Sequence, residues 1–372
     1  MKILVTGGAG FIGSHLVDEL VKLGHQVRAL DLLEKQVHHG KKPDYLNPEA
    51  EYLWGNVCDE QKLKQSLKGI EAVFHLAAQV GVGQSMYELQ RYIRDNSLGT
   101  GILLETLLKQ KKTIRKLIVA SSMSIYGEGK YQCRECGVVT PRERPISQLK
   151  KGDWETRCPN CQKTATPIPT DEEKPLYCSS VYAITKKDQE ELCLIWGKSY
   201  QVPTVALRFF NVYGTRQSLS NPYTGVAAIF SSRIKNNHPP LIFEDGLQTR
   251  DFIHVSDIAR ANLLSLKSDA MNWQSFNVGT GEPIEVLDIA KALLKIYKKD
   301  IPVKIANQFR AGDIRHCFAD IRKIRAMGFT PKVSFAEGMK KLVEWSHGVK
   351  ANDQVEQSTQ ELQKRKLIFA TI

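Results

Sequence analysis

Lys2-Ile3-Leu4-Val5-Thr6-Gly7-Gly8-Ala9-Gly10-Phe11-Ile12-Gly13 is the stretch on which the reading of this chain turns. Residues 2–6 are aliphatic and β-branched after the lysine and predict a short strand. Phe11, Ile12, Leu16, Leu20 and Leu23 recur at helical spacing and predict a helix over 11–23. The glycines between them have separate tasks. Gly7 permits a tight turn, Gly10 lets the backbone approach a pyrophosphate, and Gly13 lets the helix pack close to the strand. The helix start then offers free N–H groups and a positive dipole end to phosphate. A plain turn would use glycines too, but Asp31 supplies the context. It closes a second predicted strand, 26–31, lying 24 residues after Gly7. A carboxylate there holds the adenosine ribose hydroxyls and repels a 2′-phosphate. Leu32 and Leu33 follow it rather than arginine, so NAD is expected over NADP.

Outward from this unit, strand and helix alternate. Strands are predicted over 51–54, 72–76, 116–120 and 204–208, and helices over 60–67, 96–109 and 181–200. That rhythm predicts an α/β fold, a Rossmann-type doubly wound parallel sheet. Residues 129–169 interrupt it with cysteines, prolines and charges. From about Gly214 turns become frequent, and helices are expected over 285–297 and 335–345. The expected organisation is a dinucleotide-binding part over 1–128 and 170–213, a Cys-rich insert over 129–169, a smaller, mainly substrate-binding domain over 214–350, and a polar tail over 351–372.

The chain has 372 residues and a formal net charge of +12. Its lysines, such as Lys109, Lys111, Lys112, Lys295, Lys298 and Lys299, are dispersed and lack interleaved aromatics, so nucleic acid is not expected as a partner. An anionic metabolite suits the charge. Apolar runs are far shorter than a membrane span, and the run from Ile3 to Val5 is too short for a secretion signal. No membrane partner and a cytoplasmic location are expected.

Tyr182 and Lys186 are four apart on one predicted helix, hence on one face. An ammonium and a nicotinamide beside the phenol are expected to lower its pKa and make it a base near neutrality. Upstream, Ser121-Ser122 ends a predicted strand, where a hydroxyl can reach the same substrate oxygen.

These pieces resemble a known family. TGGAGFIG (6–13), FHLAA (74–78), ASSMSIYG (120–127), YAITK (182–186), LRFFNVYG (207–214) and RDFIHVSD (250–257) stand in the order found in extended short-chain dehydrogenase/reductases, the NAD-dependent nucleotide-sugar epimerase/dehydratase family. The resemblance spans about residues 1–345. It implies Ser122, Tyr182 and Lys186 as the catalytic set. It implies Gly7, Gly10, Phe11, Ile12, Gly13, Asp31, Asn56, Val57, Ala77, Ala78, Asn96, Tyr182 and Lys186 around a tightly bound NAD. Gln84, Ser85, Ser122, Ser124, Asn211, Arg250 and Arg310 are implied around a nucleotide-diphosphate sugar. An arginine fork suits phosphate oxygens.

The residues after Ser122 are Met123 and Ser124. Family dehydratases resemble Thr-Asp-Glu there, and double epimerases tend to a cysteine. The resemblance therefore implies redox chemistry at C4 alone, as in a 4-epimerase. VGVGQSMYE (80–88), the insert and RQSLSNPYTGVAAIF (216–230) resemble a bacterial subgroup acting on dTDP-L-rhamnose. UDP-hexose or UDP-N-acetylhexosamine 4-epimerases, and a reductase or dehydrogenase that releases its cofactor, are the alternatives. Members commonly pair as homodimers through the helices expected at 96–109 and 181–200.

Of eight cysteines, four form two Cys-x-x-Cys pairs, Cys133/Cys136 and Cys158/Cys161, 21 residues apart. Four thiolates in this spacing suit a closed, structural zinc site.

Overall fold

The computed structural model describes residues 1–110, 114–310 and 312–372; Lys111 and Lys112 fall outside them. Seven parallel strands form the central sheet: β1 (Lys2–Thr6), β2 (Gln26–Asp31), β3 (Glu51–Trp54), β4 (Ala72–His75), β5 (Lys116–Ser122), β6 (Thr204–Phe209) and β7 (Gln274–Val278). Their spatial order is β3-β2-β1-β4-β5-β6-β7. The chain reverses its direction of travel between β1 and β4, which opens a crevice at the strand C-termini where dinucleotides bind. β1, β4, β5 and β6 are buried almost end to end, as expected of strands covered on both faces.

Helices cover both sides. α1 (Phe11–Lys22) packs beside the helix Val255–Lys267 on one face. α2 (Gly99–Leu108) and α3 (Val181–Ser199) pack together on the other. α3 starts where Ser180 caps it, its Oγ accepting from Ala183 N–H at 3.1 Å. The helix expected over 96–109 is preceded by one π-helical turn, Ile93–Leu98, a local widening common at functional sites. β7 was not expected from sequence. The chain returns to the main sheet there after leaving it at β6, so 255–278 belongs to the dinucleotide-binding layer in space.

The smaller part has its own core of Tyr213, Phe230, Phe252, Ile289, Leu293 and Leu342. It gathers the helices Val226–Lys235, Val286–Tyr297 and Phe335–His347 around short strands.

The insert forms a three-stranded antiparallel sheet of 130–133, 137–139 and 166–168. Its small core is Tyr131, Val139 and Ala165 packed on the four cysteines. Residues 351–372 contain a helix, Val355–Lys364, and a strand, Ile368–Ala370, that pairs antiparallel with Gln308–Arg310. No described helix is long and apolar enough to cross a membrane.

Candidate active site

The crevice above β1 and β4 is lined by Gly7, Gly10–Gly13, Asp31, Asn56, Val57, Ala77 and Ala78. Gly7 has φ of +71°, a left-handed conformation that favours glycine. A Cβ on Gly13 would lie 2.0 Å from Gly7 O, so the third glycine is required by contact between α1 and the turn. The first turn of α1 faces the crevice with its N–H groups, as an anion site needs. Asp31 Oδ2 accepts from Ala9 N–H at 3.0 Å, and its Oδ1 from Leu33 N–H at 2.8 Å. These bonds aim the carboxylate into the crevice. His38 Nε2 lies 4.0 Å away, with its pKa lowered chiefly by burial. His38 carried no signal in the sequence, because a short irregular helix brings it back to Asp31.

Asn96 does not line the crevice. Its Oδ1 accepts from Gln79 N–H at 2.7 Å, and its amide donates to Gln79 O and Thr185 Oγ1. It braces the loop after β4 against α3, while its neighbour Asp95 reaches the crevice wall. Gln84 lines this first crevice rather than the substrate side. Ser85 is fully buried, and its Oγ accepts from Tyr182 N–H at 3.0 Å. Ser85 thus shapes the site from behind.

A second cavity adjoins the crevice. Ser122, Ser124, Tyr182, Asn211, Arg250 and Arg310 all line it. Ser122 ends β5, and its Oγ accepts from Ser124 Oγ at 2.8 Å. Tyr182 opens α3 beside it. Burial raises the Tyr182 pKa, and the Ser122 hydroxyl partly offsets this. The expected lowering is therefore not produced by the protein's own residues, because Lys186 Nζ turns away to Ala120 O and to Gln189 Oε1 at 2.8 Å. Burial lowers the Lys186 pKa to about 8. Gln189, unmarked in the sequence, also donates to Thr100 Oγ1 and meets His75, locking the lysine's partner in place.

Asn211 Oδ1 is buried with no hydrogen-bond partner among the described residues. Such an atom awaits a donor from a ligand. Arg250 donates to the carbonyls of Thr249, Ile314 and Arg315. Arg310 Nε donates to Asp313 Oδ2 at 2.8 Å, and its guanidinium lies over Phe243. Among the described residues lining this cavity, its other carboxylate, Glu244, is held by Arg144 and Arg315.

In the insert, all four cysteine sulfurs lie within 4.8 Å of one another. The Cys133 and Cys161 sulfurs are 3.5 Å apart. Two chain reversals bring them together. One uses Gly137 at φ +74°, and the other is closed by Gln162 N–H donating to Cys158 O at 2.9 Å. Backbone N–H groups of Cys136 and Glu135 lower the Cys133 pKa to about 7. No described residue of 129–169 lines either cavity. The insert instead bears on residues behind the second one, through Trp154 on Phe309, Glu155 on Arg315 at 2.7 Å and Arg144 on the lining residue Glu244 at 2.7 Å.

Comparison with known proteins identifies the family. The model of the NAD dependent epimerase/dehydratase family matches residues 3–148 and 159–279. A dTDP-L-rhamnose 4-epimerase from Burkholderia thailandensis is 33% identical over 352 residues, covering 92% of this chain and 94% of the relative. A putative UDP-glucose 4-epimerase from Methanocaldococcus jannaschii is 34% identical over 351 residues, covering 92% and 97%. The crystal structure of the Thermotoga maritima UDP-glucose 4-epimerase with UDP-glucose superposes with a TM-score of 0.78 at 32% identity, covering 94% of this chain and 99% of that one. The chain belongs to the NAD-dependent epimerase/dehydratase family.

Proposed function

We propose that this enzyme is an NDP-sugar 4-epimerase that interconverts dTDP-L-rhamnose and dTDP-6-deoxy-L-talose. The carrying observation is that Ser122 and Tyr182 line a cavity that adjoins the NAD crevice through the shared residues Phe11, Ile12 and Val80, and whose described basic lining residues are Arg250 and Arg310. Both arginines suit a diphosphate. A sugar carboxylate would find no further cation on the described lining, which favours a neutral sugar over a uronate. The aliphatic lining from Val80, Val82, Val355 and Leu362 suits a 6-deoxy carbon.

A bound NAD supplies reversible acceptance of the C4 hydrogen as hydride. Gly7–Gly13 and Asp31 would hold it. Tyr182 Oη takes the C4 hydroxyl proton and returns it, while Ser122 Oγ hydrogen-bonds the reacting oxygen. Lys186 stands one turn along α3 from the phenol, with its Nζ held by Ala120 O and Gln189 Oε1. Met123 and Ser124 offer no acid or base to a neighbouring carbon, so the 4-keto sugar turns over in the cavity and is reduced from its other face. A cofactor restored in each cycle would stay tightly bound.

The test is incubation with dTDP-, UDP- and GDP-sugars, with products resolved by NMR and the cofactor measured after denaturation. Conversion of dTDP-L-rhamnose at C4 by protein that carries NAD is expected. Preferred turnover of UDP-glucose would move the assignment to the relatives with that activity. Stoichiometric consumption of added NAD would overturn the epimerase reading.

Two structural assignments accompany it. Cys133, Cys136, Cys158 and Cys161 are read as ligands of a structural zinc. Zn–S bonds of about 2.3 Å place tetrahedral sulfurs about 3.8 Å apart, within the observed spread. Elemental analysis of chelator-free protein tests this, with one zinc per chain expected. A homodimer through α2 and α3 is supported by Ile184, Leu192 and Ile195, which share one face of α3 and are exposed; sedimentation at equilibrium tests it.

A further inference from the structure

Residues 351–372 lie beyond the motifs that carry the family resemblance, yet they cross the second cavity. Asp353 starts the crossing. Its buried Oδ2 accepts from Arg233 at 3.2 Å and meets His238 Nδ1 at 2.6 Å. Its Oδ1 accepts from Val355 N–H at 3.1 Å and opens the helix Val355–Lys364. Val355, Ser358, Thr359 and Leu362 of that helix line the cavity. Leu362 rests over Gly83, where an added Cβ would lie 3.5 Å from its Cδ2. Gly83 belongs to the turn whose Ser85 accepts from Tyr182 N–H. The helix therefore sits one layer outside the reacting groups. Arg365 then stacks over Tyr87 at 5.0 Å. Beyond it, 368–370 pairs with the strand that carries Arg310, and Phe369 stacks on Phe309 at 5.3 Å.

From this path we infer that residues 353–370 are a substrate-retaining wall, closing the cavity beside the sugar with the Val355–Leu362 helix face and fixing Arg310 with the strand that follows. The inference rests on the epimerase reading for its chemical reason. Oxidation at C4 sends the hydride to the cofactor and the hydroxyl proton to Tyr182. The ketone must then stay until the hydride returns. A ketone that escapes leaves the cofactor reduced, Tyr182 passes its proton to solvent, and the enzyme stops.

The test compares the full chain with a chain ending at Val349 and with Leu362→Ala in the full chain. dTDP-L-rhamnose and UDP-glucose are the probes. The readouts are KM, total cofactor in denatured protein, and near-ultraviolet absorbance of reduced nicotinamide during turnover. Both variants are expected to keep their cofactor, to raise KM about tenfold, and to accumulate reduced cofactor as activity decays, which the full chain does not. KM within twofold of the full chain, with no reduced cofactor, overturns the wall. If the shorter chain does not fold, Leu362→Ala decides alone. If the full chain epimerises no sugar, the epimerase reading fails before any variant is compared; calorimetric binding of dTDP-L-rhamnose to Leu362→Ala then decides, weaker binding supporting the wall and unchanged binding refuting it.

Discussion

The two cavities, which meet at Phe11, Ile12 and Val80, are built in opposite ways. The NAD crevice takes most of its lining from 7–13, 30–38, 55–57 and 76–80. Most of these are a strand end and the loop that follows it. The substrate cavity draws on Phe11 at one end of the chain and Leu362 at the other, with pieces of the catalytic helix and the smaller part between. Local rules fix the first, because a turn, a glycine and a carboxylate at set spacing suffice to hold a dinucleotide. The second depends on how distant segments are brought together, so no single stretch encodes it. Substrate choice can therefore vary while cofactor use stays fixed.

The largest effect is expected at Tyr182, which lines the substrate cavity and not the crevice. Tyr182→Phe is expected to lower kcat by about 10³-fold while cofactor content and KM stay near their original values. A loss below tenfold in a steady-state assay would remove the phenol from the proton path. The next variants separate the cavities. Gly13→Ala pushes a methyl against Gly7 O and is expected to lose bound NAD and about 1–3 kcal/mol of stability, read by denaturant melts. Arg310→Ala is expected to keep NAD and raise KM about 10–100-fold through the lost charged contacts. Matching defects in both variants would show that the cavities are not independent. Smaller again is the effect of Cys158→Ser. On the zinc reading it should release the metal and lower Tm, with KM rising only a few-fold, because no described insert residue lines the substrate cavity and the insert bears on it from behind, through Arg144 on Glu244 and Trp154 on Phe309. The smallest effect is a pH slope. Burial lowers the His75 pKa to about 3 and that of His15 to about 4. Between about pH 6.5 and these values the unfolded chain binds more protons than the folded one, so stability falls as pH falls through that window. Thermal melts across it, flattened by His75→Gln, check the assignment.

The parallel sheet, the crevice and the Tyr182–Lys186 helix were legible because each depends on periodicity or on spacing within about thirty residues. The four cysteines were legible as a cluster for the same reason. Other features were hidden. The return strand β7 is separated from its partner β6 by the 64 residues 210–273. Asn96 and Ser85 carry polar side chains that sequence assigns to ligands as readily as to bracing, and only the positions of Gln79, Thr185 and the Tyr182 N–H reveal which. The 351–372 segment looks like a polar tail because only one stripe of its helix, Val355, Ser358 and Leu362, is buried, and what it packs against lies far away in the chain.

The strand-turn-helix unit of Gly7–Gly13 and the strand end at Asp31 are set locally, since Gly13 meets Gly7 O and Ala9 N–H meets Asp31 within that unit and the strand beside it. Only the assembled fold sets where Lys186 points, which face closes the substrate cavity and how the insert reaches Phe309, Arg315 and Glu244. The physical reason is that burial and hydrogen-bond satisfaction are set by whatever residues arrive from elsewhere in the chain, and spacing along the sequence carries no record of them.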